Sequence, residues 1–490
     1  MAPRLPAFAA FLILATTAPA QDFDRAAIDR EVQAAMRFWS VPGAAVVIVG
    51  PEKSYLKGYG LRDAGKSDSV TPDTIFPLAS CTKAFTSLAL AMLVDDGKIA
   101  WDDPVRKHLP DFHLADPKAD ALVTIRDLLC HRTGVDGHDL LWYRAPWGQD
   151  ESIRRICRMP PVGPFRATFA YQSIMYMAAG KIVGKYHPKG WAGFVRERIL
   201  QPLDIAPCLT TTEVEKCADI AKGHRLGASG VERMPRYAIA DPNPSGSVHM
   251  SARDLGKWLQ FQLGDGSWKG KRLVKSEDFE QTHKPHTLIP MNSMARDLNP
   301  DTVQLTYAMG WVVQDYRGVK VIGHSGWIDG FRCQLMLLPQ HHLAFAVLAN
   351  LDGTRMNLAL SNRLVDILLE LPEKNWNAYF AQVLLRNAKA KQEASERREA
   401  ARRPDVKPSL PLADYVGEYE HPAYGVCKVL KKGDDLIWEW SSFSKVLDHY
   451  AGDTFEIHEP VLADSLAAFQ VTDKKVTALQ VLEQTFKRRR

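Results

Sequence analysis

Beyond its first twenty residues the chain has no uncharged apolar run long enough to cross a bilayer, so no integral membrane segment is expected in the remainder. No cysteine–histidine spacing resembles a zinc site, and no metal or cofactor is expected. His341-His342 precedes an apolar strand among turn residues and reads as part of the turn. There is no internal repeat, and no basic stretch interleaved with aromatics that would point to nucleic acid. The net charge of +5 is small for 490 residues, and much of the excess lies in Arg397–Arg403 and Lys487–Arg490, which read as a solvated helix face and a tail. Seven cysteines leave at least one unpaired. Cys208 and Cys217 are near enough in sequence to bridge a loop, and equally read as two partly buried thiols.

What is present is an ordinary globular composition, 46% apolar and 24% charged, on a chain long enough for two or three units. The first twenty residues stand apart. Arg4 supplies a positive start, Leu5 to Thr17 is mainly apolar, and Ala18-Pro19-Ala20 offers a small-x-small cleavage pattern. That is the pattern of a secretory signal peptide over 1–20. Gln21, and not cysteine, follows the cut, so no lipid anchor is indicated. The expected mature product is soluble and exported, periplasmic or extracellular.

Ala44 to Gly50 reads as a buried strand, and Ser54 to Leu61 continues it as a hairpin. Lys83 to Val94 is apolar on nearly all sides, as in a central helix, with Gly97 as its stop signal. A mixed helical middle follows from about 102 to 263, closing on a capped amphipathic helix, Ser251 to Leu263. Strands return at Val319–Gly323, Phe331–Leu338 and Leu343–Ala349, and Asn357 to Leu371 has helical periodicity. Strands at both ends of a helical middle predict an α/β sandwich whose sheet combines both ends, over 21–374. A charged, alanine-rich helical linker is expected over 375–405. Short alternating segments such as Leu436–Trp440 and Phe455–His458 predict a small all-β barrel over 406–490.

Ser-x-x-Lys occurs at Ser54/Lys57, Ser80/Lys83 and Ser442/Lys445. The first lies in a period-two strand, where residues three apart face opposite sides, and the last meets the same objection. Ser80 and Lys83 stand at the start of the buried helix, where i and i+3 share a face. Apolar neighbours Phe85, Leu88 and Leu90 disfavour a charged ammonium, and a neutral amine beside a serine is a base–nucleophile pair. N–H groups at the helix start favour a developing oxyanion.

Ser80-Cys81-Thr82-Lys83 resembles the first signature of the serine β-lactamases and penicillin-binding proteins. Gly97–Val105 and Val123–Gly134 resemble the next landmarks, Tyr171-Gln172-Ser173 stands in the place of Tyr-x-Asn, and His324-Ser325-Gly326 in that of Lys-Thr-Gly. The resemblance covers about residues 30 to 370 and points to class C β-lactamases, esterases of that fold and D-amino-acid-specific peptidases. Leu412–Tyr419 resembles a lipocalin-like domain attached to such hydrolases. The resemblance implies Ser80 as nucleophile, Lys83 as base and Tyr171 as proton relay. It also implies backbone N–H groups of Ser80 and Trp327, the residue after Gly326, as oxyanion donors, and His324 and Ser325 on an edge strand beside the substrate. Ser173 replaces an asparagine and keeps a hydrogen-bonding group of shorter reach. His324 replaces a lysine and weakens a site for a β-lactam carboxylate.

Acyl transfer through a Ser80 ester is therefore expected on an ester or amide, including D-amino-acid peptides, with β-lactam hydrolysis ranked lower. His324 is a second candidate for returning the leaving-group proton. A non-hydrolytic peptide- or peptidoglycan-binding sensor of the same fold is the rival from another class. An α/β-hydrolase reading with Ser325 as nucleophile fails because Trp327 breaks Gly-x-Ser-x-Gly. Trp142 and Tyr143 are readable either as pocket lining or as packing.

Overall fold

Seven consecutive buried residues, Gly43–Val49, form strand β1, and a strand hidden on both faces must be covered by a layer on each side. The computed structural model describes residues 23–490 apart from 207, 240, 463 and 464. The expected leader over 1–20 and its cleavage point lie outside the described residues. β1 pairs antiparallel with β2 (Ser54–Gly60) on one side, Val46 opposite Lys57. Seven further elements matter for the sheet and its approach: β3 (Ile75–Pro77), β4 (His249–Ser251), β5 (Thr287–Leu288), β6 (Leu305–Tyr307), β7 (Val312–Tyr316), β8 (Val319–Ile328) and β9 (Phe331–Leu338), followed by β10 (Leu343–Ala349). The main sheet runs β2-β1-β10-β9-β8-β7-β6-β5, and β1 meets β10 with Ala44 opposite Ala349. Both ends of the unit thus share one antiparallel sheet, as the strand–helix–strand order predicts.

One face is covered by α1 (Arg25–Trp39), by Met356–Leu368 and by the first turns of Trp376–Ala400. On the other face lies α2 (Lys83–Asp95), with every residue from Lys83 to Leu93 buried, so it is enclosed on all sides. Trp258 of α3 (Ala252–Gln262) stacks on Phe85 of α2 with ring centroids 3.8 Å apart. Asn375 caps Trp376–Ala400, whose later turns are exposed and lead to the C-terminal strands. Those strands, Gly417 through Arg488, pair each with the next, and the last returns to the first with Tyr419 opposite Arg488. The result is a closed eight-stranded barrel filled by side chains such as Tyr415, Trp438 and Phe469. The Sγ atoms of Cys208 and Cys217 lie 3.3 Å apart as free thiols. Among the described residues no helix is long and apolar enough to cross a membrane.

A buried carboxylate organises the segment that will flank the site. Asp127, fully buried in Ile125–Leu129, accepts hydrogen bonds from the Thr124 amide (3.0 Å) and hydroxyl (2.9 Å), Arg132 Nε (2.6 Å) and Arg166 Nη2 (2.8 Å). It holds the turn in which His131 takes φ 54°. Replacing Asp127 by Ala leaves two guanidinium groups without their partner. Urea unfolding is expected to show a loss of about 1–3 kcal/mol, the cost of orphaning hydrogen-bond donors, because both guanidinium groups left behind reach water.

Candidate active site

β3 pairs with β4 and delivers the chain into a 3-10 turn, Ala79–Thr82, anchored by Leu78 N donating to Val248 O at 2.8 Å. Ala79 has φ 45°, a left-handed conformation that costs a non-glycine residue about 1–3 kcal/mol and is tolerated where the surroundings impose it. Ser80 therefore lies in a 3-10 turn and not in the first turn of the α-helix, which begins at Lys83. With three residues per turn, i and i+3 eclipse one another more closely than in an α-helix. Lys83 Nζ lies 3.2 Å from Ser80 Oγ.

Lys83 is fully buried. Its ammonium nitrogen donates also to the Ser245 carbonyl (3.1 Å) and sits 4.9 Å and 5.5 Å from the ring centres of Tyr171 and Tyr176. Among the described residues no carboxylate reaches it within ion-pair distance. Burial brings its pKa down to about 7, against the opposing pull of Asp139 and Cys81. The rings of Tyr171 and Tyr176 form part of its apolar wall. Burial drives the Tyr171 phenol above its ordinary value, with a hydrogen bond to Ser80 acting the other way. Near neutral pH the amine is thus the group that exchanges a proton, and the phenol stays protonated. The lysines of the other two Ser-x-x-Lys matches are ion-paired: Lys57 with Asp29 at 2.9 Å and Lys445 with Glu459 at 2.6 Å.

β8 closes the other side. It is an internal strand, not the edge strand expected, but β7 pairs with it only through Gly323, so residues 324–328 have a sheet neighbour on the β9 side alone. A Cβ on Gly326 would stand 2.2 Å from Leu78 O and 2.4 Å from Cys333 Sγ, so only glycine lets the strand lie against the Ser80 turn. His324 is buried, its Nδ1 2.6 Å from Ser325 O and its Nε2 3.2 Å from the Tyr307 hydroxyl. Burial, with Lys83 nearby, lowers its pKa to about 3, so it is neutral. Alternation turns Ser325 and Trp327 to the face away from Gly326. There they border a cavity of about 410 Å³ that also holds Arg332, Gln334, Arg355 and Asn357. Arg332 covers the Trp327 ring at 4.1 Å, and Trp327 Nε1 donates to Asp352 at 2.6 Å. Burial and the neighbouring Arg355 lower the Arg332 pKa to about 10. The Nε atoms of both arginines and the amide oxygens of Gln334 and Asn357 have no hydrogen-bond partner among the described residues.

Ser173 is buried as the first residue of the helix Ser173–Gly184, while Gln172 caps that helix at Ile174 N (2.8 Å). The structure brings Ser80, Lys83, Tyr171 and His324 together, with Tyr171 and His324 rings 6.2 Å apart, and places Gly326 and Trp327 alongside. Two participants escaped the sequence reading. Ser245 grips Lys83 through a loop held by Asn243 Oδ1, which accepts from the Ser245 amide (2.9 Å) and hydroxyl (2.7 Å); the Pro-Ser-Gly-Ser run after Asn243 was the only signal. His131 packs its ring 4.2 Å from Tyr171 and 4.5 Å from Tyr307, and was visible only as part of a landmark. Tyr143 donates to both oxygens of Asp329, at 2.6 and 2.8 Å, tying its loop to the β8–β9 turn.

Comparison with known proteins shows the family and the fold. The family described as Beta-lactamase matches residues 28–370, and a Domain of unknown function (DUF3471) matches 401–490. Unguisins hydrolase ungD' of Aspergillus campestris (strain IBT 28561) is 30% identical over 414 residues, covering 80% of this chain and 75% of that protein. The octameric penicillin-binding protein homologue from Pyrococcus abyssi shares the fold with a TM-score of 0.64 at 21% identity, over 94% of this chain and 99% of that one. The D-amino acid amidase from Ochrobactrum anthropi SV3, in complex with L-phenylalanine amide, shares it with a TM-score of 0.57 at 22% identity, over 70% of this chain and 98% of that one.

Gly326→Ala forces the strand off the Ser80 turn. Displacements of about 1 Å in such settings cost about 100-fold in rate, and the expected result is a loss of that order in hydrolysis of a p-nitrophenyl ester, with a cooperative unfolding transition retained.

Proposed function

The chain belongs to the beta-lactamase family of serine hydrolases, and from that premise we propose that Ser80 forms an acyl-enzyme with ester or amide substrates, using Lys83 as base. The observation that carries this reading is the buried amine, with a pKa near 7, held 3.2 Å from the Ser80 hydroxyl. Ser80 Oγ bonds to the substrate carbonyl carbon as its proton passes to Lys83 Nζ, and the oxyanion is held by the N–H groups of Ser80 and Trp327. The Tyr171 hydroxyl gives its proton to the leaving oxygen or nitrogen and regains one from Lys83 as the substrate bond breaks. Water then attacks the acyl carbon and gives its proton to Lys83, the bond from that carbon to Ser80 Oγ breaks as Oγ regains a proton from Lys83, and the acid is released. His324, neutral and engaged with Tyr307 and Ser325, is suited to shaping the pocket, which leaves Tyr171 to return the proton. Amide substrates are favoured by the name of one structural neighbour, a D-amino acid amidase, and hydrolysis by that of a sequence relative, an unguisins hydrolase. The signal-like first twenty residues favour action outside the cytoplasm.

The test is the intact mass of the protein after exposure to a fluorophosphonate, with Ser80→Ala as control. A single adduct on the wild type alone is the expected result; equal labelling of both would return Ser325 to consideration. Lys83→Ala should lower turnover by about 10²–10⁴-fold, the usual worth of a positioned base. A labelled protein without turnover on esters, D-amino-acid amides or β-lactams would instead favour the binding-protein reading. For the active protein kcat/KM should rise as pH increases through about 7, because the working form of Lys83 is the unprotonated one. A profile flat from pH 5.5 to 8.5 would remove Lys83 as the base.

A further inference from the structure

Two thiols that the hydrolytic steps do not use lie behind the nucleophile. Cys81 follows Ser80 in the 3-10 turn, and Cys333 stands on β9 opposite Gly326 of β8. Both are buried, and their sulfur atoms are 3.5 Å apart as free thiols. Each donates to a backbone carbonyl of the other's segment. Cys81 Sγ lies 3.2 Å from the carbonyl oxygen of His324 on β8, and Cys333 Sγ lies 3.2 Å from that of Leu78. Leu78 O also accepts from the Cys81 amide at 3.0 Å, so one carbonyl at the entry to the turn is held from both sides.

These contacts bracket the gap between two N–H groups. Ser80 stands between Leu78 and Cys81 in the chain, and Trp327 follows Gly326, three residues beyond His324. Gly326 lets strand and turn approach backbone to backbone, since a Cβ there would meet Leu78 O at 2.2 Å and Cys333 Sγ at 2.4 Å. The two sulfur atoms fix how far that approach goes. A thiol is a weak donor, so these hydrogen bonds supply direction more than strength. Burial holds the Cys81 thiol well above its ordinary range, so it keeps its proton and remains a donor at neutral pH. A thiol buried in this way is inert as a nucleophile, which leaves the chemistry to Ser80.

We propose that Cys81 and Cys333 form a thiol lock between the Ser80 turn and the β8–β9 hairpin, and that this lock sets the spacing of the two oxyanion donors, the N–H groups of Ser80 and Trp327. Both cysteines are positioning residues, and the proposal rests on the reading of Ser80 as the acylated nucleophile. An oxyanion is held well only when both donors stand about 2.7–3.1 Å from one oxygen, so a small change in the gap weakens one of them. The lock therefore acts on the transition state more than on ground-state binding. A disulfide between the two sulfurs would remove both S–H donors, so the working form is the reduced pair.

The experiment compares kcat and KM for a p-nitrophenyl ester and its thionoester in full-length wild type, Cys81→Ala and Cys333→Ala, with melting temperatures alongside. A thionoester sulfur accepts N–H hydrogen bonds poorly, so the ester's advantage in kcat reads the two donors. Each alanine variant is expected to lower kcat on the ester by about 10–100-fold, part of the worth of one oxyanion donor. KM should change by less than about threefold, and the ester's advantage over the thionoester should fall by about tenfold. Valine at the same position, which fills the space without a donor, carries the same readout if an alanine variant does not fold. A wild-type ester-to-thionoester ratio in the folded variants overturns the proposal, whatever happens to the overall rate. So does a Cys81–Cys333 disulfide in the active wild type, read by mass after alkylation of the unfolded chain. Absence of a fluorophosphonate adduct on Ser80 in the wild type overturns the hydrolytic reading itself, and this one with it.

Discussion

A lysine side chain buried among aromatic rings, with no carboxylate of the described residues in contact, holds its proton poorly, and the surroundings of Ser80 follow from that. An ammonium placed there gives up water and receives in return one hydroxyl, one carbonyl and the faces of two tyrosines. That is enough to keep the amine polar and oriented, and too little to hold its proton at the ordinary lysine affinity. The carbonyl comes from Ser245 and the rings from Tyr171 and Tyr176, so three separate stretches of chain converge on one nitrogen.

The same constraint explains the backbone around it. For Ser80 to stand over Lys83 the chain enters α2 through a 3-10 turn, and Ala79 takes a left-handed conformation to begin it. For β8 to come alongside, Gly326 has no side chain to place between the strand and Leu78. β7 ends its pairing at Gly323, which leaves the strand's next five residues without a sheet partner on the side where a substrate carbonyl could lie. Internal position in the sheet and an open local edge are thus reconciled by the unequal lengths of two neighbouring strands.

The barrel adds a second layer of positioning. Its interior is filled with aromatic side chains, so its chemistry is on its outside, where the turn at Tyr424 grips Arg155 and His138.

The sequence by itself determined the sheet that joins both ends of the unit, the buried helix behind Lys83, the barrel, and the choice of Ser80/Lys83 among three similar pairs. These depend on local periodicity, on turn residues and on i,i+3 geometry, all written in neighbouring positions. It also carried the family, through an ordered set of short motifs from Ser80 to Gly326. Only the tertiary structure decided that the serine lies in a 3-10 turn, that Ser245 and His131 belong to the site, that His324 is neutral against Tyr307, and that Arg332 and Arg355 border the cavity behind β8. Each of these is a contact between residues far apart in the chain. No pattern of neighbours encodes it, because burial and proton affinity are properties of the packed environment and not of the residue that bears them.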